Sequence, residues 1–167
     1  MIIRAIGLIL LSFLLQSTIA EDLAISGGRP DFIIVSLVYL CLAYGSMTGM
    51  VMGFSVGLLQ DFYGPPDNLG LNALCKTLIC FAVGMGRDGL YRENILILLS
   101  VLTASMLVHD MLYFLVDVSF DMPLFLESLW TRTLPSLLYT AVLGLLLILL
   151  VIYRRGSFNA KRLFPER

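Results

Sequence analysis

Six apolar runs, each close to the length that crosses a lipid bilayer, take up most of this chain and leave only short polar connections between them. About 20 apolar residues span the roughly 30 Å hydrocarbon layer, and a water-soluble fold of this size has nowhere to bury so many. Of the 167 residues, 59% are hydrophobic and 14% charged, against roughly 45–50% and about 25% in soluble domains. The expectation is an all-α polytopic membrane protein with a single transmembrane domain over residues 1–167. Its six transmembrane helices are expected at about 5–19, 30–43, 46–60, 69–85, 94–116 and 134–153, followed by a basic cytoplasmic tail, 154–167.

Two of these boundaries need argument. The first run follows Arg4 and ends on Thr18, Ile19 and Ala20, which has the look of a secretory signal with a small-residue cleavage site. Cleavage would leave an almost wholly hydrophobic product, so an uncleaved first helix is expected. The run from Pro30 to Gln60 would extend about 45 Å as one helix, too long for the hydrocarbon layer without steep tilt. It divides instead at Tyr44, Gly45 and Ser46, with a tight turn at Gly45. Asp61 to Asn68 (DFYGPPDN) forms the next turn, and Asp117 to Thr131 a loop with room for a short interfacial segment anchored by Trp130.

Charge sorts by side. With six crossings, Arg4, Arg87, Arg92, Arg154, Arg155, Lys161, Arg162 and Arg167 share the face of the termini, and only Arg29 and Arg132 lie opposite. The acids Glu21, Asp22, Asp31, Asp61, Asp67, Asp117, Asp121 and Glu127 fall on that far side. The positive-inside rule then places both termini in the cytoplasm, with Arg154, Arg155, Lys161 and Arg162 as the inner anchor against anionic lipid. A net charge of -1 gives no footing for nucleic acid.

Catalytic and metal chemistry find little to work with. Cys41, Cys75 and Cys80 sit inside apolar runs as buried hydrophobes, and one histidine is too few for a zinc site or a serine triad. No cofactor, metal or enzymatic activity is expected. The polar groups that stand out are inside the runs. Lys76 and Asp110 are expected at the same depth, about 10 Å from the outer face, on antiparallel helices, which would let them pair. Asn72 shares the face of Lys76, and Asp61 and His109 complete an outer-side polar cluster. Such a cluster fixes helix register, lines a pocket opening outward, or consists of residues that snorkel separately. Gly49, Gly53 and Gly57 form a ladder of small residues on one face of the third helix, suited to close packing within the chain or against a partner's span. Asp61 would cap the turn or accept a donor from a partner.

The block Gly49 to Leu74 (GMVMGFSVGLLQDFYGPPDNLGLNAL) resembles the bacterial rod shape-determining protein MreD family. The glycine ladder, the GLLQD ending in Asp61 and the turn into Leu69, Gly70 and Leu71 carry the likeness. Leu15, Gln16 and Ser17, and Arg29, Pro30 and Asp31, fit the same layout. The resemblance implies a non-enzymatic inner-membrane component of the lateral peptidoglycan-elongation complex. It would bind MreC as a scaffold alongside MreB, RodA and a penicillin-binding transpeptidase. The family is also thought to share a six-helix fold with the substrate-binding subunits of energy-coupling factor transporters, so the alternative is a vitamin-binding subunit. A vitamin binder would need aromatic and polar groups to converge between helices, for which Phe62, Tyr63, Tyr113 and Trp130 are the candidates.

Overall fold

A computed structural model describes residues 2–20, 22, 24, 28–64, 66–89 and 95–155. Among them the chain is helical, with no strand element: α1 (Ile2–Thr18), α2 (Phe32–Tyr44), α3 (Ser46–Tyr63), α4 (Leu71–Gly86), α5 (Ile95–Asp117), α6 (Met122–Ser128) and α7 (Leu134–Arg155). A π-turn, Leu129–Thr133, joins α6 to α7 without a break. The expected helices are present with ends shifted by a few residues. The loop between α5 and α7 is more ordered than its sequence suggests, because Asp121 caps α6 by accepting from Leu124 N–H at 3.3 Å. Met122, Leu124, Leu126 and Trp130 on this segment are all turned outward.

The long apolar run divides at Gly45, as expected. Gly45 has φ +87°, a backbone state that glycine adopts without the steric penalty of a Cβ. One residue therefore suffices to reverse the chain, and Gly49 comes back against Cys41. The α2 sequence FIIVSLVYLCLAY has no polar face, and a helix that is apolar all round belongs inside a bundle. It packs against α1, α3, α4, α5 and α7. Two apolar clusters form around it, one of Ile34, Val38 and Leu42 with Leu102 and Met106 of α5, the other of Ile33, Leu37 and Cys41 with Val56 and Cys80.

A strap ahead of α2 ties the two halves of the chain together. Arg29 N–H donates to Ser136 Oγ at 3.0 Å, Asp31 N–H to Thr140 Oγ1 at 3.1 Å and Phe32 N–H to Gln16 Oε1 at 2.9 Å. These side chains satisfy backbone donors that the helix start leaves free, and Asp31 adds its own cap to Ile34 N–H at 2.8 Å.

Opposite the core, the perimeter is apolar. Ile3, Leu10 and Leu14 on α1, Met47, Val51 and Phe54 on α3, and Leu74, Leu78 and Met85 on α4 are each about half exposed or more. Helix α5 is long and apolar enough to cross a membrane, and Ala5–Thr18, Phe32–Tyr44 and Leu71–Gly86 are apolar but shorter. At 13 residues α2 is about 20 Å long. Its short length goes with its enclosure by the five helices around it.

Candidate functional site

Helices α3 and α4 lie antiparallel at a separation only glycine permits. A Cβ on Gly57 would fall 2.5 Å from Ala73 Cα, one on Gly53 2.8 Å from the Lys76 carbonyl oxygen, and one on Gly84 2.4 Å from Ser46 Cα. Gly49 is closed by the Cys41 side chain at 2.7 Å. The ladder Gly49, Gly53 and Gly57 is thus occupied inside the chain, by α2 and α4. Gly84 completes the interface from the other helix.

This close approach positions Asp61. The carboxylate, 2% exposed, sits on the last turn of α3 directly over the first turn of α4. Asp61 Oδ2 accepts from Gly70 N–H and Ala73 N–H, both at 3.0 Å, and Oδ1 from Asn72 N–H at 3.1 Å. The Gly70 cap position has no side chain to offer. Asp61 supplies the missing acceptor from a neighbouring helix, where its negative charge also meets the positive end of the α4 dipole.

From that point a polar seam runs along the α4–α5 interface. Lys76, 1% exposed, places Nζ 3.1 Å from Asn72 Oδ1 and 3.1 Å from His109 Nε2. His109 Nδ1 in turn lies 3.1 Å from Asp110 Oδ1. The direct ion pair expected between Lys76 and Asp110 is not formed: the imidazole stands between them. Tyr113 lies one turn on, its ring within 14° of parallel to His109 at a centroid separation of 6.0 Å, and its hydroxyl faces Asn68. Asn68 donates from Nδ2 to Asp117 Oδ1 at the end of α5.

The seam therefore has two rows, Asn68, Asn72 and Lys76 against His109, Tyr113 and Asp117, each stepping by four residues. That spacing keeps Asn72 and Lys76 on one face of α4, and His109, Tyr113 and Asp117 on one face of α5, while Asn68 joins the row from the 3-10 turn Pro66–Asn68 ahead of α4. From the sequence, Asn68 reads only as the end of a turn, Tyr113 as a pocket aromatic and Asp117 as an outer-side acid, although the four-residue step from His109 was there to join Tyr113 and Asp117 to the cluster. Of the proposed inner anchor, Arg154 and Arg155 end α7, while Lys161 and Arg162 lie outside the described residues. The four aromatic candidates for a pocket do not converge. Phe62, Tyr63 and Trp130 are 66%, 81% and 74% exposed, and Tyr113 is committed to the seam.

A body that is helical among the described residues, with an apolar perimeter, a glycine-welded core and its buried charged groups gathered on the two sides of α4, is that of a membrane-associated helical protein. The family model of the rod shape-determining protein MreD matches residues 2–154, nearly the whole chain, and the chain belongs to that family. The match extends well past Met85, into the half where no distinctive motif is legible. Comparison with the curated proteins and with the solved structures gives no match.

Proposed function

We propose that this protein is a non-enzymatic, six-crossing component of the inner membrane that serves bacterial cell shape by binding MreC within the lateral peptidoglycan-elongation complex. The observation that carries the reading is family membership over residues 2–154. The distribution of surface supports a partner role over a substrate role: what faces outward is a broad apolar perimeter, and the buried Lys76 and His109 are bonded to each other and to Asn72 and Asp110. MreB, RodA and a penicillin-binding transpeptidase belong to the same assembly in this reading.

Helix direction supports the topology. The contacts of Gln16 with Phe32, Ser136 with Arg29 and Asn68 with Asp117 gather the acidic connections at one end of the bundle. The Gly45 turn, with Arg87 beside it, lies at the other end together with the start of α1 and the end of α7. The basic end faces the cytoplasm by the positive-inside rule.

Because the glycine ladder is occupied by α2 and α4, the surface for a single-span partner is the outward face of α3 and α4, around Val51, Phe54, Leu74 and Leu78. A photo-crosslinking residue placed at each of these in cells is expected to capture MreC. Absence of MreC product from every outward position, in cells where both proteins reach the membrane, would overturn the scaffold reading.

A further inference from the structure

The Lys76–His109 contact has a chemical property that a register-setting pair does not need. An amine hydrogen directed at His109 Nε2, 3.1 Å away, requires that nitrogen to be bare, so the ring hydrogen sits on Nδ1 and donates to Asp110 Oδ1, also at 3.1 Å. If the N–H bond at Nζ breaks and one forms at Nε2, the amine keeps its lone pair and the ring becomes doubly protonated. No heavy atom has to move. The positive charge then rests beside Asp110, while the neutral amine still donates to Asn72 Oδ1 at 3.1 Å. The two arrangements contain the same number of protons.

Acidic side chains from three helices lie near this enclosed pair. The groups near it are Asp110 on α5, Asp61 from α3 and Asp31 from the start of α2, all near enough to act on Lys76, together with the Cys75 thiol of α4 and the Tyr113 ring stacked on His109. Burial works against a positive charge here and the carboxylates work for one, on either nitrogen.

Access is one-sided. Toward the Asp117 end, exposure rises from 1% at Lys76 to a 15% exposed Asp110 side chain, and Asn72, Tyr113, Asn68 and Asp117 are all partly open. Toward the Gly45 end the same interface closes with Ile79, Cys80, Leu102, Ser105 and Met106, none more than 6% exposed. We infer that Lys76 and His109 form a binding site for a single exchangeable proton, reached along the polar seam from the Asp117 end of the bundle and sealed from the Gly45 end. The site lies beyond the scaffold role and does not depend on it.

His109 is the chain's only histidine, so the full-length protein in lipid nanodiscs with 15N-labelled histidine gives one imidazole to read. The expected spectrum has Nδ1 protonated, with Nε2 either bare or sharing the proton. A neutral ring protonated on Nε2 with a bare Nδ1 would overturn the shared site. For access, Tyr113→Cys and Ser105→Cys are each made in a chain with Cys41, Cys75 and Cys80 changed to Ala, inserted in sealed vesicles of known orientation. A membrane-impermeant methanethiosulfonate is then added from either side. Modification of Tyr113→Cys from one side only, with Ser105→Cys untouched from both, is the expected result. An unreactive Tyr113→Cys, or a reactive Ser105→Cys, would overturn the one-sided path. Modification of Tyr113→Cys solely from the side of the Arg154 tail would put access at the Gly45 end and would likewise overturn the path.

Discussion

Asp61 of α3 holds the backbone of Ala73 in α4, accepting its N–H at 3.0 Å, while Gly57, one turn earlier on α3, leaves the space that lets Ala73 come so close. The cap and the close packing are one device. The carboxylate reaches three N–H groups because the helices almost touch, and the buried Ala73 N–H would otherwise lack a partner.

Replacing Asp61 therefore acts on α4. Asp61→Ala is expected to lower stability by roughly 2–3 kcal/mol, and Asp61→Asn by less, since the amide keeps one acceptor oxygen. Thermal unfolding of the purified protein in detergent, followed by loss of monodisperse protein on size exclusion, gives the order. Equal midpoints for Asp61→Ala and the parent would refute the cap.

Gly57→Ala is expected to destabilise by about 1–3 kcal/mol, because the added methyl meets helix backbone that cannot move aside alone. Gly7→Ala on α1, where nothing lies within 4 Å, serves as the matched control and is expected to be neutral or slightly stabilising. The same unfolding assay separates them; similar midpoints for the two variants would contradict the α3–α4 approach described above.

Much of this was legible beforehand, and the misses have physical causes. Apolar run lengths and turn residues were enough to place the helices, and the four-residue step of Gly49, Gly53 and Gly57 marked a close-packed face. The step does not say which neighbour fills that face, and a single glycine such as Gly84 carries no period at all. Counting residues along antiparallel helices correctly brought Lys76 to the level of residues 109 and 110. It gave depth and not direction: a helix turns about 100° per residue, so the neighbour of an inward-facing position is swung well off the interface. His109 took the inward position, with Asp110 behind it.

Removing one side of the seam should cost more than removing both. His109→Leu takes a partner from a fully enclosed amine and is expected to cost about 3 kcal/mol. Lys76→Met is expected to cost less, because His109 retains Asp110. Lys76→Met with His109→Leu should be more stable than His109→Leu alone, a non-additivity that a double-mutant cycle of unfolding midpoints measures. Simple additivity would mean that the two side chains do not interact.

The strap ahead of α2 offers a test of long-range coupling. Thr140→Val preserves shape and removes the acceptor for Asp31 N–H, with an expected loss of roughly 1–2 kcal/mol. Thr131→Val, whose exposed hydroxyl bonds only within its own turn through the Glu127 carbonyl, is expected to change stability little. Matching losses at the two sites would sink the idea that α7 secures the strap.

That strap has a bearing on how the chain is made. The strap and helix α2 emerge early from the ribosome, yet the strap's acceptors Ser136 and Thr140, and the α5 residues that cover α2, are translated some 60 to 110 positions later. The earliest part of the core must wait, half clothed, for the last helix. A nascent chain stalled before α7 would therefore be a natural substrate for quality-control proteases, and α7 would act as the latch whose arrival ends that vulnerability.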